Sequence, residues 1–244
     1  MDQQTKQALK HDQFIDTTQH GIEWASENRR TVIVAGSILI ALLIIVVGSF
    51  VLYNNRSNAA SVAYGAAMQE YQTPLAEPGQ QVPPGIKTYT SAAERAKAAN
   101  QLFMAAADKY SMEPDGKTAR YFGGLTYIEA GNNAAAESTL KQVASGWNGE
   151  LASLAKLSLA NLYRQTGEDA KAVDLYNELT AKPTTSVPAG LAQLQLAEMY
   201  ESQGKPDDAK KIYAKLKDKD GKSAVGMLAA QKLNPSAEPA ALQR

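Results

Sequence analysis

The chain has 244 residues, with 25 Lys and Arg against 25 Asp and Glu, and it contains no cysteine. The balanced charge gives no electrostatic basis for a nucleic-acid partner, so we set that class of protein aside. The lack of cysteine excludes disulfides, thiolate metal sites and a cysteine nucleophile.

The N-terminal segment, residues 1–30, is predicted to be cytoplasmic and to form a short amphipathic helix on a membrane surface. Phe14, Thr18, Ile22 and Ala25 recur at helical spacing. An aromatic residue next to an apolar segment is typical of the boundary between membrane and water. A loosely ordered tail is the alternative interpretation of this segment.

An apolar run from 32 to 53, VIVAGSILIALLIIVVGSFVLY, contains no Asp, Glu, Lys, Arg or His. At about 1.5 Å of rise per residue, a helix of this length spans roughly 33 Å, close to the ~30 Å hydrocarbon core of a bilayer. We therefore predict one transmembrane helix over residues 31–54. A cleaved signal peptide and a buried core helix are the alternatives, and both are usually shorter or less uniformly apolar.

The basic residues beside this span predict its orientation. Arg29 and Arg30 precede the span and Arg56 follows it. Because the more basic side stays in the cytoplasm, the positive-inside rule favours a cytoplasmic N-terminus and an exported C-terminal part. The exported part has about 190 residues, which is enough to bury a core of its own.

Between the span and residue 110, the pattern predicts two helices separated by a proline-rich insertion. The Ala-rich stretch 58–72 favours a helix that continues from the span. Residues 73–90 contain four prolines and two glycines, which suit neither helix nor strand. Ser91 and Glu94 then form a capping-box pattern at the start of a helix over 92–110.

The next hundred residues repeat one pattern three times, with periods of 36 and 37 between glycines. We expect each glycine to end a first helix in the left-handed conformation, and the small residues to let a second helix approach closely. Each glycine is preceded by a small residue seven positions earlier and by a tyrosine four positions earlier. It is followed by an alanine five positions later and by a large residue nine positions later. The three sets are Gly124, Tyr127, Gly131, Ala136 and Leu140; Ala160, Tyr163, Gly167, Ala172 and Tyr176; Ala197, Tyr200, Gly204, Ala209 and Tyr213.

A helix-turn-helix repeat of about 34 residues is the tetratricopeptide signature, and residues 117–217 resemble tetratricopeptide repeat proteins. We predict an all-α fold, with a single transmembrane helix followed by a tetratricopeptide-like helical solenoid over 55–233. Residues 58–110 would form a fourth repeat, interrupted by the insertion. Residues 223–233 would form a closing helix, and 234–244 a disordered tail.

The first helix of each pair builds the concave face of such a solenoid. A partly apolar groove there suits a hydrophobic segment or a helix of a partner protein. The alternative for its leucines is that they pack between neighbouring repeats. The predicted groove residues are Tyr121, Leu125, Ile128, Leu157, Asn161, Arg164, Leu194, Glu198 and Glu201.

The sequence predicts no enzyme, no catalytic residue, no metal site and no cofactor. Both histidines precede the span, so the exported part has neither His nor Cys for Ser-His-Asp, Cys-His or zinc chemistry. It also lacks the glycine-rich motifs that bind nucleotide phosphates. Asp207 and Asp208 follow Pro206 at a helix start, where the helix dipole favours carboxylates. An enzyme that uses a buried carboxylate pair is the remaining catalytic alternative.

The whole layout resembles the YfgM-like family, the ancillary subunits of the SecYEG translocon. The resemblance rests on the boundary from Trp24 to Arg30, the polar junction at 54–56, the Ala-rich segment AYGAAMQEY and the repeats. It implies an inner-membrane protein whose repeat domain lies in the periplasm and binds translocating chains, chaperones or the translocon.

Two further expectations concern assembly. The same solenoid could serve as a scaffold for another envelope complex, such as the division or outer-membrane machinery. Ser37 and Ala41 form a small-x-x-x-small pair that would allow the spans of two copies to associate.

Overall fold

The computed structural model describes residues 24, 26–76, 85 and 87–234. These residues include nine α-helices of ten residues or more, and β structure in them is limited to one isolated bridge. The all-α prediction is confirmed. The predicted surface helix and C-terminal tail fall almost entirely outside the described residues. The helices are α1 (Arg29–Tyr71), α2 (Ala92–Lys109), α3 (Pro114–Glu129), α4 (Asn133–Ala144), α5 (Gly149–Thr166), α6 (Asp169–Ala181), α7 (Ala189–Ser202), α8 (Pro206–Asp220) and α9 (Ala224–Leu233).

Helix α1 contains the predicted span and the predicted helix after it in 43 uninterrupted residues. Residues up to 55 belong to one compact unit and those from 56 onward to a second. In the first unit the apolar side chains are exposed, for example Ile33 at 70% and Leu52 at 71%. Among the described helices, α1 is the one long and apolar enough to cross a bilayer. A helix suits lipid because it satisfies its own backbone hydrogen bonds.

The second unit is a stack of helix pairs. Each helix from α2 to α9 contacts the next, and α3 also contacts α5 as α7 contacts α9. Contacts restricted to near neighbours are typical of a solenoid. The pairs α3 with α4, α5 with α6 and α7 with α8 correspond to the three predicted repeats, and α9 to the predicted closing helix.

The three repeat glycines have the predicted left-handed backbone, with φ of 78°, 77° and 70°. Glycine adopts this conformation at little cost, whereas other residues do not. In every copy the residue after the glycine donates its N–H to the carbonyl of the repeat tyrosine five positions earlier, which is the Schellman hydrogen bond. These bonds are Asn132 to Tyr127 at 2.8 Å, Glu168 to Tyr163 at 2.8 Å and Lys205 to Tyr200 at 2.9 Å.

The small repeat residues allow the close helix packing that the pattern predicts. Ala160 and Ala197 have no exposed surface. A Cβ added to Gly124 would lie 2.6 Å from Cδ2 of Leu140, which is itself fully buried. Helices α3 and α4 therefore approach so closely that a larger side chain at 124 requires Leu140 to shift.

We expect Gly124→Ala to lower the free energy of unfolding by about 1–2 kcal/mol, because the new methyl group forces buried Leu140 to shift. Gly65→Ala is the control, since a Cβ at 65 meets nothing within 4 Å. Replacing that helical glycine should raise stability by up to about 1 kcal/mol. Thermal denaturation of the full chain in detergent micelles, followed by circular dichroism, measures both variants. Equal effects would contradict the tight α3–α4 contact.

The two ends of the proline-rich insertion meet beside the end of α1. Ala76 donates its N–H to the Tyr89 carbonyl at 2.8 Å, and Tyr89 donates its own to the Pro74 carbonyl at 3.1 Å. The Glu70 carboxylate accepts hydrogen bonds from Lys87 and from the Tyr89 hydroxyl. The pairing of the described residues returns the chain to the end of α1 before α2 begins.

The predicted capping box at the start of α2 is only half formed. The Ser91 hydroxyl accepts the N–H of Glu94 at 3.2 Å, which caps the helix as expected. The Glu94 carboxylate accepts a hydrogen bond from the Thr90 hydroxyl. Its side chain is therefore engaged by a neighbouring hydroxyl, a competitor that the capping-box pattern does not reveal.

The last turns of α1 pack against α2 through aromatic rings. Phe103 is fully buried, and its ring centroid lies 6.0 Å from Tyr64, 6.2 Å from Tyr71 and 5.5 Å from Phe122. Ala99, one turn before Phe103, is also fully buried, as the equivalent alanines of α4, α6 and α8 are. These contacts support a fourth repeat in this part of the chain, which stays a prediction.

An ion pair connects the α1 residue Arg56 to the turn between α2 and α3. Its Nε lies 2.5 Å from Oε1 of Glu113, and its Nη2 donates to the Lys109 carbonyl at 3.0 Å. The Glu113 side chain is only 4% exposed, and its second oxygen has no hydrogen-bond partner in the described structure. Arg56 is therefore the cation that compensates a buried carboxylate.

We expect Arg56→Ala to destabilise the repeat domain by about 1–2 kcal/mol, because it leaves the Glu113 carboxylate buried without a partner. The control is Lys211→Ala, which removes a pair with Asp208 whose side chains are both more than half exposed. Such surface pairs contribute roughly 0–1 kcal/mol. The melting temperature of each variant is measured in micelles and compared with that of the unaltered chain. Equal decreases for the two variants would contradict a special role for Arg56.

Candidate protein-binding surface

The nine predicted groove residues lie on α3, α5 and α7, the first helices of the three pairs. Seven of them are half-buried and Glu201 is exposed, whereas Leu194 is buried. Most of the predicted groove residues therefore retain solvent-accessible surface, but their neighbours differ from one helix to the next.

The α3 residues of the set lie against the next repeat. The Tyr121 hydroxyl is 3.2 Å from Oγ of Ser158 on α5, and either oxygen can donate the hydrogen bond. Tyr121 and Ile128 both pack against the central core cluster, and Leu125 is half-buried. These residues thus hold the first junction together and leave part of their surface to solvent.

On α5, Leu157 packs against two core clusters, the central one and a smaller one formed by α6, α7 and the loop between them. This contact favours the alternative that Leu157 packs between repeats, although the residue remains half-exposed. Asn161 accepts a hydrogen bond from the Tyr176 hydroxyl at 2.7 Å. Its amide carbonyl is therefore occupied by the second helix of its own pair.

Two opposite charges lie close to that same tyrosine. Burial raises the pKa of Tyr176, while the charge of Arg164 lowers it and that of Glu198 raises it. The Arg164 guanidinium has no hydrogen-bond partner within the described part of the chain. Within the described residues, Glu198 accepts a single hydrogen bond, from the Gln195 amide at 3.1 Å. An available cation and anion on neighbouring first helices make this the most polar part of the predicted groove.

Leu194 lies in the core, 5% exposed, and the structure corrects its placement in the open groove. It shares a cluster with residues of α8 and α9, including Tyr213 and Ala229. The reason is that α9 contacts α7 as well as α8 and covers the first helix of the last pair. The burial of Leu194 agrees with the alternative given for the groove leucines, which is that they pack between neighbouring helices.

Glu201 joins three helices. Its Oε2 accepts a hydrogen bond from the Tyr213 hydroxyl at 3.0 Å and another from Lys232 on α9 at 3.1 Å. Burial raises the pKa of Tyr213, and the hydrogen bond to Glu201 raises it further. The tyrosine therefore remains a donor, and Glu201 contributes to the closing of the stack.

Among the described carboxyls, those whose pKa departs from its ordinary value have it lowered. A carboxyl that acts as a general acid needs a raised pKa. Hydrogen bonds from Lys141 and Tyr163 lower the pKa of Glu137, and backbone donation from Ser186 lowers that of Glu150. No three His, Cys, Asp or Glu side chains of the described residues are grouped to hold a metal ion.

A second accessible surface was missed by the sequence reasoning. It is a pocket of about 210 Å³ between the turn that follows α2 and the turn that follows α4. Trp147, in the second of these turns, is 86% exposed. One feature of the sequence could have indicated this surface. A tryptophan stands in the polar turn sequence Ser-Gly-Trp-Asn-Gly, where a core residue is not expected.

The family model of the tetratricopeptide repeat-like domain matches residues 23–235 of this chain. The chain belongs to the tetratricopeptide repeat-like domain family. The match extends over α1 as well as the helix pairs. No curated protein and no solved structure matches the chain. Tetratricopeptide-like repeats typically bind other proteins and are not typically enzymes.

Proposed function

We propose that this tetratricopeptide repeat-like protein is a membrane-anchored module that binds other proteins. The observation that carries the proposal is helix α1, which continues from an apolar segment of membrane-spanning length into a stack of helix pairs. A tether of this kind raises the effective concentration of the repeat surface for partners at the same membrane. The half-buried groove, with Arg164 and Glu198 available, supplies a surface of mixed character.

We further propose that the repeats lie outside the inner membrane, in the periplasm, and assist the Sec translocon or periplasmic chaperones. The excess of arginine before the span and the resemblance to the YfgM-like family support this location. Alkaline phosphatase fused after Arg244 should be active, and green fluorescent protein fused at the same site should be dark. The opposite pair of results would contradict an exported domain.

The partner is best identified by photocrosslinking in living cells. A photoreactive residue at Tyr121, Arg164 or Glu198 should capture translocon subunits or periplasmic chaperones, while the same residue at exposed Lys210 on α8 should not. Leu194 is unsuitable because it is buried. Capture of division or outer-membrane components alone would favour the scaffold alternative and contradict the translocon assignment.

A further inference from the structure

The pocket beside Trp147 combines an exposed aromatic ring with cationic and amide donors. Its lining includes Lys117 and Arg120 from α3, Gln142 and Val143 from α4, Trp147 from the following turn, and Leu151 from α5. Of the large hydrophobic side chains, Trp147 at 86% and Met112 at 76% are the most exposed in the described chain. Met112 follows Ser111, another lining residue, in the turn after α2.

Tryptophan is enriched at protein interfaces, so an exposed ring beside a pocket with polar donors is typical of a recognition surface. The Lys117 ammonium lies 4.6 Å from the centroid of the Trp147 ring, within the range of a cation–π contact. This contact holds the ring beside the pocket while leaving most of its surface open.

The two charged side chains that line the pocket are cations, and one of them, Arg120, is paired with the Asp108 carboxylate beside the pocket. The Arg120 side chain is held in place by three hydrogen bonds. Its guanidinium donates to Asp108 at 2.8 Å, to Gln142 Oε1 at 3.0 Å and to the Ala107 carbonyl at 3.2 Å. Lys117 has no carboxylate partner within the described residues, and no Asp or Glu lines the pocket. The ammonium of Lys117 and the amide NH₂ of Gln142 thus donate to no acceptor among the described residues.

We propose that this pocket binds an extended acidic peptide of a partner protein, with one carboxylate and an adjacent apolar side chain as the recognised elements. The carboxylate accepts hydrogen bonds from Lys117 and Gln142, and the apolar side chain packs against Trp147 and Val143. Charge complementarity carries this choice of occupant, because the Lys117 ammonium, which has no carboxylate partner among the described residues, attracts a carboxylate and repels a basic segment. The inference rests on the proposed protein-binding function but concerns a surface distinct from the groove.

A phage-displayed library of random dodecapeptides, selected on the full chain in micelles of a neutral detergent, tests the proposal. Selected peptides should contain Asp or Glu next to an aromatic or aliphatic residue. Their affinity should fall at least tenfold for Trp147→Ala and for Lys117→Glu, and remain unchanged for the surface control Lys210→Glu. Selection of peptides without an acidic residue, or equal binding to Trp147→Ala, would overturn the proposal.

Fluorescence gives a direct readout, because Trp24 is the other of two tryptophans in the chain. In a Trp24→Phe background, a selected peptide should shift the Trp147 emission to the blue, and its Gln-substituted version should not. Vesicles containing phosphatidylglycerol serve as the lipid probe, and a shift with vesicles but not with peptide would overturn the proposal. The photocrosslinks from groove positions separate the two proposals. If they persist in the Trp147→Ala variant while the pocket binds no acidic peptide, only the pocket proposal is contradicted and the proposed protein-binding function stands.

Discussion

Phe103→Ala is expected to lower the free energy of unfolding of the repeat domain by about 3–5 kcal/mol. Phe103 is fully buried, and its ring is stacked on Phe122 at a 20° interplanar angle while Tyr64 and Tyr71 pack around it. Truncation leaves a cavity bordered by three aromatic rings that cannot collapse together. It also removes the ring contacts between Phe103 on α2 and the two tyrosines at the end of α1.

The matched control is Leu102→Ala on the same helix, because Leu102 is 41% exposed. We expect that change to cost much less, since little buried surface is lost. At about 2–4 °C per kcal/mol for a domain of this size, the Phe103 variant should melt at a markedly lower temperature than the Leu102 variant. Hydrogen exchange should locate the loss of protection in residues 56–110. Unchanged protection there would contradict the packing described.

Gly116→Ala is expected to cost about 3 kcal/mol or more, at the upper end of overpacking effects. A Cβ at 116 would lie 1.8 Å from the carbonyl oxygen of Tyr110 and 2.5 Å from its carbonyl carbon. The obstacle is backbone, which cannot rotate away as a side chain can. The equivalent positions of the next two pairs are Ala152 and Ala189, so the restriction belongs to the junction of α2 with α3.

Gly149→Ala is the control for this prediction, because Gly149 also lies in the first turn of a helix and a Cβ there meets nothing within 4 Å. Its effect should be neutral or slightly stabilising. Both variants can be compared by thermal denaturation of the full chain in micelles. A Gly116 variant as stable as the Gly149 variant would show that the turn after α2 can move aside.

The sequence by itself determined the repeating elements, because their causes are local. Left-handed backbone at Gly131, Gly167 and Gly204 follows from glycine in a short turn, and the alanine and tyrosine positions follow from helical periodicity. The apolar segment also identifies its helix without reference to the rest of the chain. The two helices after residue 90 whose bounds were predicted, 92–110 and 223–233, are observed at Ala92–Lys109 and Ala224–Leu233.

Only the tertiary structure decided which first-helix residues stay accessible and which other contacts form. Leu194 has the groove register but is covered by α9, and Arg56 pairs with Glu113 fifty-seven positions away. The close approach of Gly116 to the Tyr110 carbonyl depends on how the turn between α2 and α3 folds back. The donor pocket around Trp147 forms where packing brings two turns together. Periodicity specifies the face on which a residue lies, whereas its neighbours on that face depend on how the helices assemble.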